Sequence, residues 1–160
     1  MENNEQQNTF MKQAISLALN NIKEKQGGPF AAVVVKNGKI IGQGANKVTT
    51  KNDPTAHAEV EAIRDACKNL NSFQLDGCEI YSTCEPCPMC LGAIYWARPE
   101  KLYFACSRED AADAGFDDSY IYDQLNLNIA KRNLKTARIL QNDAMKIFDS
   151  WKETENKISY

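Results

Sequence analysis

Asp53-Pro54-Thr55-Ala56-His57-Ala58-Glu59 and Glu85-Pro86-Cys87-Pro88-Met89-Cys90 are the two stretches on which the reading of this chain turns. The first holds the only histidine of the protein, with a carboxylate two residues on. The second holds two cysteines separated by two residues. Imidazole nitrogen and thiolate sulfur are ligands that zinc prefers, and a catalytic zinc keeps three protein ligands and an open position for water. His57, Cys87 and Cys90 match that count. Glu59 adds a carboxylate, and a carboxylate within reach of a metal-activated water can take its proton and return it to a leaving amine.

Each motif falls at the start of a predicted helix. Cys87 and Cys90, three residues apart, share one face there. Helix N-termini favour thiolates, because the free backbone amides and the dipole lower the thiol pKa. Pro54, Pro86 and Pro88 lack an N–H and suit first-turn positions, where that donor has no helical partner. Read singly, the histidine is an ordinary polar residue and the Cys-x-x-Cys a redox pair. Cys84 also stands three residues before Cys87, so a closed structural site of His57, Cys84, Cys87 and Cys90 is a second option. Cys84 ends a predicted strand before the Pro86 turn, which favours the three-ligand set. Cys67, Cys78 and Cys106 sit in apolar patterns and read as small buried hydrophobes. Glu61, four residues from His57, reads as an outward-facing helix residue.

Outward from these motifs, residues 8–25 carry an apolar stripe at helical spacing (Phe10, Met11, Ala14, Ile15, Ala18, Ile22), stopped by Gln26-Gly27-Gly28-Pro29. Phe30–Lys36 and Lys39–Ala45 are β-branched runs joined by Asn37-Gly38, a strong hairpin signal. Residues 46–52 read as a polar loop. Asp53 reads as an N-cap and Pro54 as the first residue of a helix over 54–69, with Ala58, Ala62, Ile63 and Ala66 on its apolar stripe. Cys78–Thr83 reads as a buried strand, Cys87–Ala97 as a helix ending before Pro99, and Lys101–Cys106 as another strand. A polar, acidic loop around residues 111–119 follows. Then come a short helix over 119–127, a last strand over Ala137–Leu140 and a last helix over Ala144–Glu153. The alternation predicts one α/β domain over residues 1–160, with three α/β/α layers around a mixed five-stranded sheet.

The 160 residues suffice for one domain with a core that needs no disulfide staples. Hydrophobic residues make up 43% and charged residues 25%, ordinary values for a globular protein. The formal net charge of -2 argues against a polyanion such as RNA or DNA as substrate, since such binders carry a basic face. The N-terminus is polar and has no signal-type apolar run, and no stretch reaches eighteen apolar residues. A reduced, cytoplasmic protein is the expectation, in which closely spaced cysteines signal metal or catalysis more than cross-links.

The signature His-x-Glu followed by Pro-Cys-x-x-Cys resembles that of the cytidine deaminase-like zinc hydrolase superfamily. The resemblance covers nearly the whole chain. It runs through Gly28-Pro29-Phe30, Asn46-Lys47-Val48-Thr49-Thr50, Asn52 to Glu59, Cys84 to Pro99 and Ala114-Gly115-Phe116-Asp117-Asp118-Ser119. Within the superfamily, the Phe-Asp-Asp-Ser segment and terminal Tyr160 are similar to bacterial guanine deaminases. The resemblance implies a cytidine deaminase-like fold and one zinc per chain, with a water or hydroxide as fourth ligand. It also implies hydrolytic removal of the 2-amino group of guanine, giving xanthine and ammonia, as in purine catabolism or salvage.

Under that resemblance Glu59 shuttles the proton. Asp118 is a second carboxylate that binds the base and assists proton transfer at the amine. Asn46 hydrogen-bonds the purine edge, and Phe30 and Trp96 stack on the base or wall it in. Tyr160 reaches the pocket, from a neighbouring subunit of a homodimer if the 150–160 tail docks there. On residue type alone, Asp118 is a solvated loop acid, Asn46 a turn residue, Phe30 and Trp96 core residues and Tyr160 a frayed terminus. Two other readings stand beside the guanine one: another nucleoside, nucleobase or tRNA adenosine deaminase, and a non-catalytic zinc-stabilised interaction module with Cys84 closing the site.

Overall fold

In the computed structural model, the backbone of residues 2–160 and the side chains from residue 4 onward are described. The chain forms two compact units, one running to Asp118 and the other from Ser119 to Tyr160. The first holds a four-stranded sheet in the order β2-β1-β3-β4. Its strands are β1 (Ala31–Lys36), β2 (Lys39–Ala45), β3 (Cys78–Cys84) and β4 (Lys101–Cys106). β1 is antiparallel to β2 and to β3, and β3 is parallel to β4. The hairpin turns where expected, because Asn37 and Gly38 both adopt positive φ, at 51° and 72°.

Strand alternation sorts the core into two faces. Val33, Val35 and Tyr81 meet Phe10 and Ala14 of α1 (Glu2–Lys23) on one side. Ala32, Val34 and Ile80 meet Ala58, Ala62 and Ala66 of α3 (Ala58–Leu70) and Ile94 and Ala97 of α4 (Pro88–Ala97) on the other. The three α/β/α layers are therefore present. The α1 stripe runs through Phe10, Ala14, Ala18 and Asn21, while Ile15 and Ile22 face outward, contrary to expectation. α3 lies close on β2 because a Cβ on Gly44 would come within 2.3 Å of the Ala58 oxygen. That close approach carries the first turn of α3, with His57 and Glu59, to the end of the sheet.

Several local expectations are corrected. α1 begins six residues earlier than periodicity indicated. A one-turn helix, α2 (Val48–Lys51), interrupts the loop expected over 46–52. The helix expected from Pro54 begins at Ala58, with His57 as its N-cap. Asp53 does not cap it. Its Oδ1 accepts from the Thr55 amide at 2.8 Å and the Thr55 hydroxyl at 2.7 Å, closing a local Asx turn. Within the acidic segment, α5 (Arg108–Asp113) forms behind a capping box of Ser107 and Asp110.

The second unit holds α6 (Ser119–Asn126), a 3-10 turn (Ile129–Lys131) and α7 (Gln141–Glu153). The strand expected over Ala137–Leu140 is absent, so the sheet has four strands and not five. A strand exists only where a neighbour completes its ladder. Here Ile139 is 77% exposed, and Leu140 takes a left-handed φ of 50° at the start of α7. No residue from 119 to 160 is buried.

Candidate functional site

The three metal-ligand candidates come from two helix starts. His57 is the N-cap of α3, Cys87 is the N-cap of α4, and Cys90 lies in the first turn of α4. Their ligand atoms all lie within 4.8 Å of one another, and this is the only such group of His, Cys and acidic residues among the described residues. His57 Nδ1 stands 3.6 Å from Cys87 Sγ and 3.5 Å from Cys90 Sγ. Tetrahedral zinc with bonds of ~2.0–2.1 Å to nitrogen and ~2.3 Å to sulfur sets N···S edges of about 3.6 Å. The residues present therefore fit zinc in both donor type and spacing.

The electrostatics favour a thiolate at Cys87 and a thiol at Cys90. The Cys90 thiol donates a hydrogen bond to Cys87, and with help from His57 it holds the Cys87 pKa down to about 4. Cys90 in turn is pushed up by that donation and by burial near Glu59. The hydrogen bond to Cys87 raises the His57 pKa against the opposing effect of burial.

Cys84 stays outside this group. Its Sγ donates to the Ser107 main-chain oxygen at 3.4 Å, and burial pushes its pKa up to about 11, so it is held as a thiol. Glu61 is also turned away and pairs with Lys51 and Arg64.

Glu59 is 6% exposed in the first turn of α3. Burial raises its pKa, and hydrogen bonds from its own backbone amide and from Ser82 partly oppose that shift. It thus stands against the ligand cluster in an environment that lets it hold a proton. Asp118 also has a raised pKa, first from burial and then from the charge of Cys87. The loop carboxylate therefore lies within the field of the ligand site, unlike a fully solvated acid.

Asn46 is buried and rigidly held. Its Oδ1 accepts from the Gly28 amide at 3.2 Å and the Val48 amide at 3.3 Å. Two backbone donors on one atom identify it as the oxygen, so the amide's capacity toward a ligand is that of an N–H donor. Phe30 is half-buried and meets Phe116 edge-on, with centroids 4.9 Å apart at 84°. Trp96, a core residue by type, is instead 64% exposed on α4. Tyr160 lies in the second unit and is 72% exposed.

Three residues escaped the sequence reading. Asn21 is buried on α1, and its Nδ2 donates to the main-chain oxygens of Gly28 and Asn46 at 3.0 and 2.9 Å. Its place on the inward stripe, seven residues after Ala14, was the available signal. Phe116 pairs with Phe30 but had only motif membership to mark it. Ser82 donates to Glu59 Oε1 at 2.9 Å, and a hydroxyl inside a buried strand run was its signal.

The zinc-binding region of cytidine and deoxycytidylate deaminases matches residues 4–106. Guanine deaminase of Bacillus subtilis (strain 168) is 51% identical over 152 residues, covering 95% of this chain and 97% of its own. An X-ray structure of guanine deaminase from Bacillus subtilis is similar with a TM-score of 0.93 at 50% identity, covering 96% of this chain and 98% of that one. A tRNA-specific adenosine deaminase of Buchnera aphidicola subsp. Baizongia pistaciae (strain Bp) is 35% identical over 151 residues, 94% of this chain and 90% of its own.

Proposed function

The chain belongs to the zinc-binding cytidine and deoxycytidylate deaminase family, and we infer from that premise that it is an enzyme hydrolysing guanine to xanthine and ammonia. One observation carries the choice of guanine. Over nearly the same span, identity to a guanine deaminase is 51%, against 35% to a tRNA-specific adenosine deaminase. The net charge of -2 also favours a small purine over RNA.

His57, Cys87 and Cys90 are the residues that would hold one zinc ion per chain. Bound there, zinc would act as a Lewis acid and bring the pKa of water near 7. The chain's own groups do the rest. Glu59 accepts a proton from water as the oxygen adds to C2 of guanine. It returns a proton to the 2-amino group as the C2–N bond breaks, so ammonia leaves and the oxygen stays in xanthine. Asp118 accepts from the amine and assists that second transfer. Asn46 donates its Nδ2 to an acceptor on the purine edge. Phe30, braced edge-on by Phe116, gives the base an apolar face.

A homodimer completes this reading. The second unit buries none of its residues, although Ile121, Leu125, Ile147, Phe148 and Trp151 line its helices. Exposed apolar area of this kind supports an interaction surface, here for a second copy of the chain. In the dimer, Tyr160 and Trp96 serve the substrate pocket, Tyr160 from the neighbouring copy. A cytoplasmic location suits such an enzyme, and no helix among the described residues is long and apolar enough to cross a membrane.

The test is ammonia release from zinc-loaded protein offered guanine, guanosine, adenine, adenosine, cytosine, cytidine and tRNA. Guanine should be turned over fastest. Release from tRNA with none from guanine would move the chain to the adenosine branch, and release from nothing would favour an interaction module. Sedimentation, run alongside, should give twice the chain mass.

A further inference from the structure

Ser82 occupies a position where an apolar side chain would be expected. β3 is buried along nearly its whole length, and Ser82 pairs in register with Ala32 on β1. Its face of the sheet, shared with Ile80, is the one that packs against α3 and α4. Ser82 is 2% exposed. A hydroxyl in such a place is destabilising unless it is hydrogen-bonded. Its bond runs to Glu59 Oε1 at 2.9 Å, across 23 residues of chain.

We propose that Ser82 is a positioning residue for proton transfer: it pins Oε1 of Glu59 and thereby leaves Oε2 as the oxygen that carries the proton. This rests on reading Glu59 as the proton carrier. A carboxylate can accept at either oxygen and can turn about its last torsion, where rotamers are broad. The Ser82 hydroxyl, with the backbone amide of Glu59, restricts that freedom, because it donates to Oε1 whether Glu59 is charged or neutral. The two oxygens of Glu59 therefore have separate tasks, one as anchor and one as shuttle. The anchor comes from the sheet, the most rigid part of the fold, and not from the loops that shape the pocket.

The experiment compares zinc-loaded wild type, Ser82→Ala and Ser82→Thr for zinc content, melting temperature, kcat and KM. Ser82→Ala should keep its zinc and hold KM within about twofold, while kcat falls between about 10- and 100-fold, the scale of a misaligned catalytic group. Ser82→Thr restores the hydroxyl and should recover most of kcat. An unchanged kcat in Ser82→Ala would overturn the proposal. So would loss of zinc, a rise in KM matching the fall in kcat, or a folded, zinc-loaded Ser82→Thr that stays as slow as alanine. Failure of the guanine reading is distinguishable, since it appears in the wild type. The comparison then moves to whichever amine the wild type hydrolyses, and a wild type hydrolysing none refutes the role of Glu59 itself.

Discussion

The Cys84 thiol donates to the main-chain oxygen of Ser107, 23 residues away in the chain, at 3.4 Å. That contact explains why a run of three evenly spaced cysteines supplies only two candidate ligands. Cys84 is the last residue of β3, and its bond turns it toward the segment leaving β4. Cys84→Ala should therefore retain zinc at wild-type stoichiometry. Its stability loss should be about 1 kcal/mol for one hydrogen bond, a fall in melting temperature of about 2–4 °C. His57→Ala, Cys87→Ala and Cys90→Ala should each lose most of the metal. Metal analysis after gel filtration decides the matter, and zinc loss from Cys84→Ala would reinstate the closed four-ligand site.

Gly27 lies so close to Asn46 that a Cβ would sit 2.0 Å from the Asn46 main-chain oxygen. No rotamer relieves a clash between Cβ and backbone. Gly27→Ala must displace the strand end that carries Asn46, together with the oxygen that Asn21 holds. Guanine KM should rise about tenfold or more, with zinc content unchanged; a shift of 1 Å in a positioning group is enough for that. Steady-state kinetics with metal analysis test it, and an unaltered KM would remove Asn46 from the substrate site.

Zinc removal should stop ammonia release without unfolding the chain. The core around Val33, Val35 and Tyr81 lies on the sheet face opposite α3 and α4, which bear the ligands, and does not depend on them. Because zinc binds the native state, its removal should lower the melting temperature by an amount that grows with the logarithm of the free metal previously present. Circular dichroism of the chelated protein checks the fold and the melting temperature, and an ammonia assay checks the activity.

Burial raises the Glu59 pKa above the ordinary 4.5. Between the unfolded and folded pKa values, the native chain binds more protons than the unfolded one. Its stability therefore falls as pH rises through that window. Glutamine has no such window. In zinc-free protein, Glu59→Gln and wild type should melt together at about pH 4, and the variant should melt higher at about pH 8. Loaded with zinc, the same variant should keep its metal and lose turnover by about 100-fold or more. Melting curves that do not diverge with pH would show that Glu59 is not desolvated as described.

Asp118 has its pKa raised first by burial and then by the charge of Cys87. Asp118→Ala should lower kcat/KM for guanine by about 100-fold or more, the contribution of a proton-transfer group. Asp117→Ala should stay within about twofold, as for a residue outside the chemistry. Equal effects would undo the assignment of the second carboxylate.

Most of the first unit was legible in the chain because its signals are local. Asn37-Gly38 demands positive φ at two successive residues, and few structures besides a tight hairpin use that. The alanines at 58, 62 and 66 recur at four-residue steps and mark the buried face of α3 wherever it packs. The ligand types of the metal site are equally local, since sulfur and imidazole select zinc by their chemistry. The errors arose where a competing local bond or the tertiary packing overrides the simplest local preference. Asp53 looks like an N-cap, but Thr55 occupies its carboxylate, so α3 starts later. Ala137–Leu140 has strand composition but no ladder partner. Trp96 is apolar but sits on the outer face of its helix.

By itself, the sequence determined which side chains were available for chemistry: one histidine, two paired cysteines and a carboxylate two residues from the histidine. The tertiary structure decided which of them converge. It brought His57 within 3.6 Å of Cys87 across 30 residues, turned Cys84 toward Ser107, and set Ser82 against Glu59 from a different layer. The physical reason is that residue type and spacing fix only the local backbone and its donors and acceptors. Which donor meets which acceptor depends on how α3, α4 and β3 pack, through the close approach of small residues such as Gly44 and Ala58.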